Sequence, residues 1–144
     1  RYAQGEAELG WLNATVTLQG NDKISLDDLL LDIIGRLQTM FTAENAETAH
    51  LKAIGSTDDC HAIANLVGSD SVVELSHASN VETNRVSMII NARVAMDPAV
   101  LEPLVREAVI GASGERDMTA EFGEVQSFRP GRPVPTHRIA AASD

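Results

Sequence analysis

Asp58-Asp59-Cys60-His61 is the one place in this sequence where thiol, imidazole and carboxylate stand together. All three groups are competent zinc ligands, and a thiolate beside an imidazole is also the raw material of a nucleophile–base pair. Geometry limits both uses. Neighbours on a strand point to opposite faces, so Cys60 and His61 meet at one site only if Cys60 still belongs to the turn. The metal reading therefore places Cys60 and His61 as ligands at a turn–strand boundary. The plainer reading is a turn cysteine followed by a strand-start histidine. His50 and His77 are single histidines without ligand spacing.

Other chemistry is thin. The sequence has no Gly-rich loop ending in Lys-Ser or Lys-Thr, no His-Glu-x-x-His, no Cys-x-x-Cys and no Gly-x-Ser-x-Gly, which removes the motif-borne nucleotide, zinc-protease, thiol-redox and serine-hydrolase readings. Paired carboxylates occur at Asp27/Asp28, Asp58/Asp59 and Glu121/Glu124. The first pair suits a helix N-terminus, and the others suit a turn and a solvated face. None lies in an apolar setting that would raise a pKa for acid–base work. No catalytic constellation emerges, and no cofactor is named.

Residues suited to contact are easier to find. Trp11 is the only tryptophan. Asn91 and Arg93 share one side of a strand, either as an anion site or as the polar side of an amphipathic strand. The stretch Phe128 to Arg138 carries Arg129, Arg132 and Arg138 with three prolines and no acid. It reads as a polyproline-like segment, serving as a linker or as a docking arm.

The elements that position these residues follow from periodicity. Leu12, Ala14, Val16 and Leu18 alternate on a strand, with Trp11, Asn13, Thr15 and Thr17 opposite. Gln19 to Asp22 reads as a turn. Ser25 caps a helix whose apolar stripe falls at 26, 29, 30, 33, 34, 37, 40 and 41. Gly35 sits off that stripe and is expected to mark close packing. Strands follow at 49–54, 61–67, 72–76 and 85–94. Asp97-Pro98 opens a second helix. Pro103 predicts a kink or a later start there, and Gly111 with Gly114 an end. Met118 to Val125 is a last strand. The order β-α-β-β-β-β-α-β predicts an α+β, ferredoxin-like two-layer sandwich, with two helices on one face of a mostly antiparallel sheet of five or six strands. It gives one domain over 1–127 and an extended tail over 128–144. With both helices on the aliphatic face, Trp11, Asn91 and Arg93 fall on the open side.

Composition agrees with one globular unit. The chain has 144 residues, 44% hydrophobic, with formal net charge −10. That length can bury about 68–70% of the unfolded surface. The charge argues against nucleic acid as a partner, and no apolar run reaches the ~20 residues of a membrane span. A lone cysteine excludes an intrachain disulfide and fits a reducing, cytoplasmic setting. A start at Arg1 without Met reads as a piece of a longer chain.

Three stretches carry a resemblance: Arg1 to Ala14, Ala49-His50-Leu51-Lys52, and Asn91-Ala92-Arg93-Val94. They resemble the domain that follows the P-loop GTPase domain in CobW-like proteins, relatives of nucleotide-dependent metal chaperones. The resemblance implies a C-terminal α/β module of a cytoplasmic GTPase, concerned with partner or metal-cargo handling. The family's phosphate loop and Cys-rich metal motif have no counterpart here, so no GTP or metal residue carries over. The expectation is a non-catalytic, partner-binding or regulatory domain. Its partners would be a neighbouring GTPase domain, another protein or a second copy. A small-ligand or metal protein using Cys60 and His61 is the alternative.

Overall fold

The computed structural model describes residues 9–131. Six strands and two helices alternate in the order β1 (Gly10–Ser25), α1 (Leu26–Ala43), β2 (Thr48–Ser56), β3 (His61–Leu66), β4 (Glu74–His77), β5 (Glu82–Val94), α2 (Pro98–Glu115) and β6 (Met118–Phe128). One antiparallel sheet runs β4-β3-β2-β5-β1-β6. The segment β6-β1-β5-β2 is the ferredoxin-like core, and β3–β4 is a hairpin that widens it beyond β2. The α+β sandwich expected from the sequence is the fold observed.

Alternation decides which face of the sheet is covered. Leu12, Ala14, Val16 and Leu18 on β1 and Val86, Met88, Ile90, Ala92 and Val94 on β5 all point into the core. There they meet the α1 stripe Leu26, Leu29, Leu30, Ile33, Ile34, Leu37 and Phe41, and Leu101, Val105, Ala108, Val109 and Ala112 of α2. The first helix packs on β2 and β3 and the second on β1 and β6. Apolar burial on this one face is the main term holding the layers together.

The helix starts follow their caps. The Ser25 hydroxyl accepts from the Asp28 N–H at 3.1 Å, and the Asp97 carboxylate accepts from the Ala99 N–H at 2.9 Å. Pro103 does not delay α2, which starts at Pro98 and runs through it to Glu115. It is exposed, as is Ala99, so water can serve the Ala99 carbonyl that proline leaves without a helix bond.

Four local expectations are corrected. The Gln19–Asp22 turn is absent; β1 continues to Ser25 with a register shift between Gln19 and Ile24, because both flanks still pair with β5. Helix α2 runs through Gly111 and Gly114 and ends where Asp117 takes φ 56°, just as α1 ends at Asn45 with φ 55°. At α1 the Asn45 and Ala46 N–H groups return to the Thr42 and Phe41 carbonyls at 3.0 and 2.9 Å. That is a Schellman closure, with Asn where Gly is commoner. A Cβ added at Gly35 would meet no atom within 4 Å, so Gly35 marks no close packing among the described residues. Finally, Phe128 pairs with Trp11 inside the sheet, one residue beyond the boundary drawn at 127.

Polar ties lock the helices in place. Asp32 on α1 accepts from Arg36 at 2.9 Å and from Arg116, just past α2, at 2.7 Å. Burial pushes the Asp32 carboxyl up, but hydrogen bonds and charge from Arg116 and Arg36 outweigh it and hold the group below its ordinary value. Among the described residues, no helix is long and apolar enough to cross a membrane.

Candidate functional site

The β2–β3 turn is closed by Thr57 and Cys60. The Thr57 N–H donates to the Cys60 carbonyl at 2.8 Å, and the Cys60 N–H donates to the Thr57 hydroxyl at 3.1 Å. Cys60 is therefore in the turn, half-buried, as the metal reading requires. His61, however, lies on the open face, and its ring stacks on His77 of β4 with centroids 4.5 Å apart and planes 11° apart. The structure brings His61 to a second imidazole that no spacing rule pointed to. Among the described residues, no group of three or more His, Cys, Asp or Glu side chains is placed to hold a metal ion.

The open face of the sheet gathers the remaining candidates. Cross-strand register places Trp11 opposite Arg93 on β5 and Phe128 on β6. The Arg93 guanidinium carbon lies 4.1 Å from the centre of the Trp11 ring, and the Trp11 and Phe128 rings are 6.0 Å apart, tilted by 47°. Trp11 Nε1 is covered and has no hydrogen-bond partner among the described residues. A covered donor left unmade costs about 1–3 kcal/mol. The next row crosses the sheet as amides. Asn13 faces Asn91, whose Nδ2 donates to the Asn13 Oδ1 at 2.7 Å, and Lys52 and Asn65 continue the row.

Beyond the amides comes an apolar row. Ile63, Ile54 and Ile89 stand side by side on β3, β2 and β5. Among the described residues no helix covers them; Ile54 and Ile63 are half-buried and Ile89 is 45% exposed. The following row is small and hydroxylated: Ser56, Ser87 and Thr17. It floors a groove of about 530 Å³ that reaches Ile89 on one side and Glu121 and Gly123 on β6. A bulge on β6 shapes this end. The Thr15 hydroxyl accepts from the Glu124 N–H at 3.0 Å, and a Cβ at Gly123 would lie only 2.7 Å from that hydroxyl.

The sequence-level interaction candidates thus divide. Trp11, Asn91 and Arg93 share one face. Arg129 directly follows β6. Arg132 and Arg138 lie outside the described residues. Sequence reasoning missed Phe128 as a sheet residue, His77 beside His61, and Ile54 with Ile63 as half-buried parts of one open-face row. The glycine inside the β6 pattern was the available signal for the bulge.

No family model matches this chain, and neither does any curated protein or solved structure.

Proposed function

We propose that this domain is a non-catalytic module that binds a protein partner through the open face of its sheet, within a larger cytoplasmic protein. One observation carries the reading: the face opposite the helices holds a tryptophan stacked by an arginine, beside a row of three isoleucines that no other element covers among the described residues. Tryptophan and arginine are the residues most often found to anchor interfaces, and an apolar row rimmed by polar residues is the usual surface of such a site. The resemblance of the Arg1–Ala14, Ala49–Lys52 and Asn91–Val94 stretches to CobW-like proteins supports a GTPase domain as one such neighbour. A GTPase domain encoded just upstream of Arg1 would support that arm, and a start codon at Arg1 would remove it.

Site-specific photo-crosslinking in the native host tests the reading itself. Probes at Ile89 and Phe128 on the open face should each give a discrete adduct that Arg93→Glu abolishes. A probe at Ile110, exposed on α2, should give none. Equal labelling of both faces, or none on the open face, would overturn the proposal.

A further inference from the structure

The geometry points to a second copy of this chain as the partner, with the Ile54–Ile89 ridge of each copy seated in the hydroxyl-floored groove of the other. The inference rests on the partner-binding reading above and names its occupant. Ridge and groove are adjacent rows of one face: Ile54 and Ile89 form the ridge, and Ser56 and Ser87, two residues along the same strands, floor the groove. A two-fold axis lying in the interface, across the strands and between these rows, exchanges them. Each ridge then enters the partner's groove twice over, which is the self-complementarity an isologous interface requires. Sheets packed face to face stand ~10 Å apart with the side chains of the two faces interdigitating, and a ridge of isoleucines facing a row of small hydroxyl residues seats without steric conflict.

Charge follows the same symmetry. Lys52 stands on the far side of the ridge from the groove, and Asp58 and Asp59 stand at the turn beyond it. The two-fold axis carries the Lys52 end of β2 toward the partner's Asp58-Asp59 turn. It carries Arg93 toward the opposite end of the partner's β5, against Thr83, an uncharged hydroxyl. Arg85 also lies on the groove side, but its guanidinium is held by Gln19 at 2.9 Å, and the axis sets it near Asn91, an uncharged amide. A chain of net charge −10 resists self-association in general; along β2 this face instead opposes a lysine to carboxylates, while on β6 the axis brings Glu121 toward the partner's Glu124. Size is also sufficient. Six strands about 4.8 Å apart and about eight residues long, at about 3.3 Å per residue, present roughly 700 Å², close to the ~800 Å² per partner of a stable interface.

Sedimentation equilibrium of the 144-residue chain, from about 1 to 100 µM, a range that spans ordinary transient dimers, tests this. The expected result is a particle of twice the chain mass. Ile89→Glu on the ridge and Ser87→Arg in the groove should each raise the dissociation constant at least about 30-fold, with the far-UV spectrum and urea midpoint kept. Both side chains are exposed in the single chain, so neither change touches the core. A monomer at the highest concentration overturns the inference, as does a dimer indifferent to both substitutions. A monomer that dimerises only after residues 132–144 are removed gives the face to that segment and also overturns it. In the crosslinking experiment above, an adduct to a different protein defeats the second copy while leaving the partner-binding reading in force; failure of both arms defeats both.

Discussion

Arg93 lies over Trp11 from the directly opposed position on the β1–β5 ladder, with its guanidinium carbon 4.1 Å from the ring centre. The pair sits at one end of the open face. Arg93→Met keeps the aliphatic stem but loses the cation. At an exposed site such a contact contributes about 0.5–1 kcal/mol, so urea unfolding of Arg93→Met should show a loss of that order. Because Trp11 is the only tryptophan, the emission comes from this one site and should shift in the folded variant. An unchanged spectrum and midpoint would remove the stacking from the account.

Asp27 carries a second prediction, in acid. Its Oδ1 accepts from the Ser79 N–H and hydroxyl at 3.0 and 2.7 Å, and its Oδ2 accepts from the Asn80 N–H at 2.9 Å, tying the β4–β5 loop to the first turn of α1. Burial pushes the carboxyl up, but these hydrogen bonds and the His77 charge outweigh it and leave the pKa below the ordinary value. A folded pKa below the unfolded one stabilises the protein above the unfolded value, about 3.9, and that contribution is lost as pH falls through the folded value. Asp27→Asn should therefore cost about 1–3 kcal/mol at neutral pH, and its deficit should shrink below about pH 4. A deficit constant from pH 7 to pH 3 would show that the charge plays no part.

What could be read in advance was what repeats along one element. The alternation at 12, 14, 16 and 18 and the stripe from Leu26 to Phe41 each specify a buried face, and both faces are where they were expected. What depends on pairing between elements was not legible. His77 reaches His61 through a register shift between Ile63 and Ala64, and no local residue type encodes that shift. Ile54, Ile63 and Ile89 form one row only once three strands are aligned. Gly20-Asn21-Asp22 and Gly111 misled because local turn chemistry was overridden. Pairing with β5 and β6 keeps the first extended, and at Gly111 the missing side chain gives room to the Arg36 guanidinium, which a Cβ would meet at 2.6 Å.

The pairing of His61 with His77 also bears on metal. Two imidazoles stacked face to face at 4.5 Å offer at most two ligands, whereas a structural zinc site takes four from protein and a catalytic one three. Calorimetric titration of the reduced chain with zinc should show no site of micromolar affinity or tighter. The melting temperature should stay level as zinc is added, since a ligand that bound the folded state would raise it. A rise that disappears in both Cys60→Ser and His61→Ala would restore these residues as ligands.

Two glycines in the fold give opposite expectations for one substitution. Gly35 lies in the middle of α1, and a Cβ there would meet nothing within 4 Å. Its φ is not positive, so alanine fits the backbone without strain. Alanine at an interior helix position is favoured over glycine by about 0.5–1 kcal/mol, mainly through lower entropy of the unfolded chain. Gly55 on β2 faces the core instead. A Cβ there would lie 2.9 Å from Leu26 Cδ1 and 3.1 Å from Leu30 Cδ2, both side chains being fully buried. Those leucines cannot swing into solvent, so the clash must be absorbed by off-rotamer packing at a cost of about 1–3 kcal/mol. Gly35→Ala should raise the urea midpoint at an unchanged slope, and Gly55→Ala should lower it. If Gly35→Ala lowers the midpoint instead, something covers that side of α1 in the folded protein.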